Sequence, residues 1–347
     1  MSRRQVLAYR AALHGFTGAP HDALLDLGVQ DSPVGSAALA LSARGLPERG
    51  LTTVWSFRGA PHRHRSSDLK ALAQALWPLS DADARARLGG LGPTLRKAGR
   101  DAVSAIRETA EAVAGLLTDG MAKGDLSAGV TRRIDEAYSF WCRGCAATHV
   151  HDQLLRLSAL HGGARIEEPT PLTFGRIPTW PGVPEAPKGT ERLLLAYLTL
   201  HGPATQADAA AFLGTTGPRV TGVWPEGLHA VGKTWLPESR VAAYESAEPA
   251  RFVRLVPPSD PYLQMRDRPL LVPDERHRKA LWPILGAPGA VVMDGDVVGL
   301  WRAKKSGKRL ALTVTPFGKV RKNDVEEDAA RVAEVRGAPS FEVSYDG

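Results

Sequence analysis

Apolar residues recur from the start of the chain, with Val6, Leu7, Tyr9 and Leu13 at roughly helical spacing within residues 5–16. A second short helical stretch, HDALLDLGV, runs into Gln30-Asp31-Ser32-Pro33. An Asp or Ser ahead of Pro is a helix-start signal: its side-chain oxygen caps free N–H groups, and Pro suits the first turn. The small-residue segment VGSAALALSARG is then predicted to be a helix ending at Gly45. The β-branched and aromatic run Leu51–Phe57 predicts a strand, Arg58–His62 a turn, and SSDLKALAQALWPL a helix.

Three more helical patterns follow Gly90. They are Asp101–Thr118, GDLSAGVTRRI with Asp125 as a candidate cap, and HVHDQLLRLSALHGG, which stops at Gly162-Gly163 before a short β-type segment. Prolines at 169, 171, 178, 181, 184 and 187 mark a linker, and Trp180 within it implies packing along a surface. Beyond it, ERLLLAYLTLHG and PATQADAAAFLG are predicted helices, the second with Thr205 at its N-cap. PRVTGVWPEG is a Gly/Pro-broken third element, and LHAVGKTWLP alternates and turns at Gly232-Lys233. The last hundred residues predict strands with hairpin turns at Asp294-Gly295 and Ser306-Gly307, then a terminal helix over VEEDAARVAEVRG.

Helix, helix, short third element and β-hairpin is the winged-helix order. The fold expected is therefore α+β: tandem winged-helix units with a C-terminal antiparallel β-domain. The boundaries read as units at 1–89, 90–168 and 190–250, a linker at 169–189, and the β-domain at 251–347.

Composition narrows the class. Of 347 residues, 43% are hydrophobic and 23% charged, which excludes a disordered chain. Two cysteines exclude a disulfide framework. Polar residues interrupt every apolar run near the N-terminus, so a cytoplasmic protein without a leader or membrane span is expected. A net charge of +7 directs attention to polyanions, and with this fold the partner expected is double-stranded DNA.

Four segments carry a family resemblance, in order along the chain: LGVQDSPVGSAALALSARG, WSFRGAPHRHRSSDL, LVPPSDPYLQMRDR and DGDVVGLWR. Together they resemble the AlkZ-like family of DNA glycosylases. The resemblance implies three winged-helix units around a basic channel and hydrolysis of the N-glycosidic bond of N-alkylated purines, some of them in interstrand crosslinks, with no metal or cofactor. In that family a Gln-x-Gln or Gln-x-Asp motif positions water at C1′ of the deoxyribose. The matching residues here are Gln30, Asp31 and Ser32, which keep the first Gln but place Ser third and Asp in the middle. An alkylated purine already carries positive charge, so the chemistry needs an oriented water and stabilisation of an oxocarbenium-like sugar. Asp31-Ser32-Pro33 is equally explained as a helix cap, which leaves Gln30 without a structural reason.

Several other groups invite a role. Arg58, His62, Arg63, His64 and Arg65 read as one loop suited to phosphate contact, with a solvated turn as the competing reading; Lys233 at its hairpin tip and the hairpin cluster Arg302, Lys304, Lys305, Lys308 and Arg309 could also track a backbone, with a solvated edge as the competing reading. Asp260 and Tyr262 with Arg266, Asp267 and Arg268 read as a structural Asp–Arg network that docks the β-domain. Cys142-x-x-Cys145 with His149 and His151 has ligand types zinc accepts, but the spacing departs from ordinary fingers and ribbons, so no metal is assigned. Two functions stay open: a monofunctional glycosylase using Gln30 and Asp31, and a non-catalytic winged-helix DNA-binding or regulatory protein.

Overall fold

A computed structural model describes residues 2–18 and 21–346, a mixed α/β structure that divides into two compact units. Neither unit is contiguous in sequence. One gathers residues 1–49, 195–208 and 226–347, and the other 50–194 and 209–225.

The first unit is built around a five-stranded sheet. Its strands Val253–Val256, Gly289–Met293, Asp296–Ser306 and Arg309–Pro316 pair antiparallel in that order. A fifth strand, Ser340–Tyr345, joins Arg309–Pro316 in parallel, so the C-terminal sheet is mixed and not purely antiparallel. The parallel pairing requires a crossover, which the helix Lys322–Val335 supplies. Val325, Ala329 and Val332 of that helix bury against Leu255, Val291, Leu312 and Leu39. Asp294 and Gly295 both have positive φ (55° and 93°), the backbone that a two-residue hairpin turn demands.

Two buried arginines join the N-terminal segments to this sheet region. Arg10, on the helix Arg3–Leu13, donates to both carboxylate oxygens of Asp267 (3.0 and 2.7 Å) and to the Gly202 and Pro203 carbonyls. Arg44 makes a two-pronged pair with Asp260 (2.9 and 2.7 Å) and also donates to the carbonyls of His14 and Ala40. Neither side chain of the Arg44–Asp260 pair is exposed to solvent. Thr205 and Asp208 cap the next helix reciprocally: Asp208 N–H donates to Thr205 Oγ1, and Thr205 N–H donates to Asp208 Oδ2.

The second unit packs the helices Asp81–Arg87, Ala102–Leu116, Lys123–Thr131 and Asp152–Ala159 around Trp77, Leu88, Ile106, Leu126 and Leu154. Asp101 caps the longest of them by accepting from Ser104 N–H, whereas Asp125 lies inside its helix and does not cap it. A hairpin of Ala164–Pro169 and Leu172–Arg176 follows the last helix, so the Pro-rich stretch begins within a strand pair. Trp180 then docks on Gly163 and donates to the His161 carbonyl, and Lys188 N–H donates to Gln74 O.

Replacing Arg44 with Met leaves the Asp260 carboxylate buried and unpaired, so unfolding free energy measured in urea should fall by about 3–5 kcal/mol. An Arg44→Met/Asp260→Leu double variant should recover part of that loss. A single-variant loss below about 1 kcal/mol would contradict the role given to the pair.

Candidate active site

Gln30 sits in a two-residue strand, Val29–Gln30, ahead of the helix Ser36–Ser42. Its backbone carbonyl accepts from Ser259 Oγ (3.1 Å), and its side-chain Oε1 accepts from Gln264 Nε2 (2.9 Å). Gln264 also donates weakly to Ser259 O. The half-buried Gln30 amide is therefore held by a polar clamp supplied from the DPYLQ segment. A carbonyl oxygen has two lone pairs, so Oε1 can take a second donor such as water while it keeps Gln264.

Asp31 is buried, and its Oδ1 accepts from Ala37 N–H (2.9 Å), so it caps the helix across the intervening turn. Ser32 faces solvent and does not cap; the residue preceding the helix is Gly35, with φ 88°. Of the three motif positions, then, Asp31 is explained by capping, Ser32 is exposed, and Gln30 is positioned by side chains 229 and 234 residues away. Beside the motif a cleft of about 500 Å³ is lined by Val34, Leu39, Pro258, Trp301, Arg302 and Arg336.

The DPYLQ segment is rigid for identifiable reasons. Asp260 takes Arg44 and also accepts from Tyr262 N–H (2.8 Å), while the Tyr262 hydroxyl donates to Gly295 O (2.6 Å). Burial raises the Tyr262 phenol well above its ordinary range, so it remains a donor. Arg266 and Arg268 do not pair with Asp260. The half-buried Arg266 takes the Tyr197 hydroxyl at its backbone N–H, and Arg268 lies over the Trp282 ring at 4.6 Å. Asp260 and Asp267 take their guanidinium partners from Arg44 and Arg10 instead.

The basic positions separate by burial. Pro61–Arg65 is a strand paired antiparallel with Leu51–Trp55, and not the loop the sequence implies. Strand alternation turns His62 and His64 inward, each 2% exposed, and leaves Arg63 and Arg65 on the other face. Desolvation holds His62 well below the usual imidazole range and lowers His64 to about 3. Both are neutral: His62 Nδ1 meets Ala60 O, and His64 Nε2 meets Ser56 Oγ, each at 3.0 Å. Neither can serve as a phosphate contact. Arg58 has φ 57°, donates to Phe212 O and lies over the Phe212 ring at 4.9 Å, which is a packing role.

On the hairpins, Lys233, Lys304 and Lys308 are exposed. Lys305 donates to the Arg336 and Gly337 carbonyls (2.7 and 3.0 Å) and so caps the C-terminal end of Lys322–Val335. Arg302 donates to Gly286 O, and Arg309 pairs with Glu342. The structure also gathers Cys142, Cys145 and His149, whose ligand atoms all lie within 4.8 Å of one another. His151 is not part of that group.

These features define a class: an α+β protein whose first unit presents a clamped glutamine and basic hairpins. The chain belongs to the family described as DNA glycosylase AlkZ-like, which matches residues 34–335. The "Interstrand DNA cross-link repair glycosylase" of Streptomyces sahachiroi is 29% identical over 185 residues, and that alignment covers 47% of each protein. The aligned stretch thus spans about half the length of this relative. The solved structure "Streptomyces sahachiroi DNA glycosylase AlkZ" superposes over the whole of both chains with a TM-score of 0.72 at 23% identity, a likeness of fold. Among the described residues, no helix is long and apolar enough to cross a membrane.

His14, His62, His64 and His161 are all buried with pKa values pushed down, first by desolvation; His64 and His161 reach about 3. The unfolded chain, with imidazoles near 6.5, binds more protons below that pH than the folded one. Stability should therefore be fully present above about pH 6.5 and decline as pH falls toward 3. Urea midpoints measured from pH 7.5 to 4.5 check this, and a His64→Gln variant should show a shallower decline.

Proposed function

We propose that the protein is a monofunctional DNA glycosylase that removes cationic alkylated purines from double-stranded DNA through tandem winged-helix units. The observation that carries this reading is the Gln30 amide, held by Gln264 and Ser259 within a chain of the AlkZ-like family. Gln30 orients a water toward C1′. The water oxygen bonds to C1′, the C1′–N bond breaks with its electron pair passing to the already cationic purine, and the proton lost by water goes to solvent. The product is an abasic site and a neutral base.

Asp31 fixes the Gln30 backbone through the helix cap, and its negative charge favours the oxocarbenium-like sugar. The exposed Ser32 lies outside this machinery. Lys233, Lys304 and Lys308 supply phosphate contacts, whose worth depends on salt and not on sequence.

Incubation with duplex containing N7-methylguanine should yield abasic sites, and Gln30→Ala should slow their formation by about 100-fold or more. Ser32→Ala should retain the wild-type rate, and Gln264→Leu should lose roughly 10-fold through a misaimed Gln30. Absence of abasic sites with wild-type protein on several cationic lesions would leave the non-catalytic DNA-binding reading. Full activity in Gln30→Ala would place the site elsewhere.

Duplex binding should weaken steeply with salt. A Lys304→Ala/Lys308→Ala variant should flatten the slope of log K against log salt by about 2, since each neutralised phosphate contributes about 0.9. An unchanged slope would remove that hairpin from the DNA interface.

A further inference from the structure

We propose that Cys142, Cys145 and His149 bind one zinc ion, with solvent in the fourth position, which staples the hairpin Ser139–Cys142/Ala147–Val150. The strand register places the ligands on one face. Phe140 stands opposite His149 and Cys142 opposite Ala147, so Cys142 and His149 are diagonal neighbours across the ladder. Cys145 lies in the turn between the strands, where Ala146 takes φ 50° to bring the chain back. A tetrahedral zinc with bonds of about 2.0–2.3 Å sets sulfur and nitrogen ligands about 3.6–3.8 Å apart. The three ligand atoms, all within 4.8 Å of one another, need only small side-chain rotations to reach that spacing.

A further observation points to a metal and not to an inert thiol pair. His149 Nε2 is buried and has no hydrogen-bond partner, a vacancy that buried polar atoms rarely tolerate and that a ligated ion fills. Bound through their sulfurs as thiolates, the two cysteines would balance the charge of Zn²⁺. Val150 anchors the base of the hairpin in the core, but its outer part is open to solvent: Phe140 is 44% exposed and Trp141 62%. A two-stranded ribbon is marginal in water where nothing packs on it, so a cross-strand ion would hold the exposed end.

The test uses the full-length, untagged protein purified with reductant and dialysed against metal-free buffer. Elemental analysis should find about one zinc per chain. Cys142→Ser and Cys145→Ser should each lower that content at least tenfold, while far-UV circular dichroism reports whether the fold is kept. His149→Ala should weaken zinc retention at least tenfold in competition with a chelator. Cobalt added to chelator-stripped wild-type protein should give the thiolate charge-transfer and tetrahedral ligand-field bands, and these should be lost in Cys142→Ser. Wild-type protein with no more zinc than the Cys142→Ser variant, no cobalt spectrum, or a Cys142–Cys145 disulfide in place of metal would overturn the proposal.

Discussion

The buried Arg44–Asp260 pair is the interaction on which the candidate site depends. Removing two charges from water is expensive, and only a fully hydrogen-bonded geometry repays the cost. That condition is met here. Arg44 is satisfied by both Asp260 oxygens and two backbone carbonyls, and Asp260 by the guanidinium and the Tyr262 N–H. The pair joins the end of the helix that follows Gln30 to the segment bearing Ser259 and Gln264. Those two residues in turn hold the Gln30 backbone and side chain. A second connection works alongside it: Arg331, paired with Asp328, donates to Leu39 O on the same helix and to Leu255 O on the sheet. The position of Gln30 is thus set by contacts that span most of the chain length.

That reach explains which parts of the molecule were legible in the sequence. Turns and caps depend on a few adjacent residues, and these were readable: Asp294-Gly295 as a hairpin turn, Thr205 as an N-cap, Gly232-Lys233 at a hairpin tip. The terminal strand Ser340–Tyr345 was missed because nothing local announces a parallel partner; its pairing becomes visible once Lys322–Val335 has crossed the sheet. An Asp–Arg network around Asp260 was also readable, but its arginines were not. Arg266 and Arg268 are neighbours in sequence, whereas the guanidinium groups that reach Asp260 and Asp267 come from residues 44 and 10.

Within the site, Asp31-Ser32-Pro33 satisfied two readings at once, and the structure separates them residue by residue. Asp31 caps, Ser32 faces solvent without capping, and Gln30 acquires partners that a cap does not require. Gln264 went unnoticed although one signal was present. It is an amide within Pro261–Met265, where Pro261, Tyr262, Leu263 and Met265 are all buried, and a polar group in such a run needs a partner.

Charge was the least reliable guide, and the reason is physical. A run such as Arg-Gly-Ala-Pro-His-Arg-His-Arg looks like a solvated cationic loop when charges are counted along the chain. Strand alternation instead buries the two imidazoles, and desolvation keeps them neutral. Arginines here serve largely as internal connectors, because a planar guanidinium can satisfy carboxylates and carbonyls at once: Arg10, Arg44 and Arg331 each join a carboxylate to two carbonyls, and Arg321 joins two carboxylates to the Phe252 carbonyl. Lysine cannot match that geometry and holds its hydration more strongly, which leaves it exposed at hairpin tips such as Lys233 and Lys308. The excess of +7 is therefore not a measure of a DNA-binding face. What bears on polyanion binding is the subset of cations that the fold leaves exposed, and that subset is set by burial, which sequence composition does not contain.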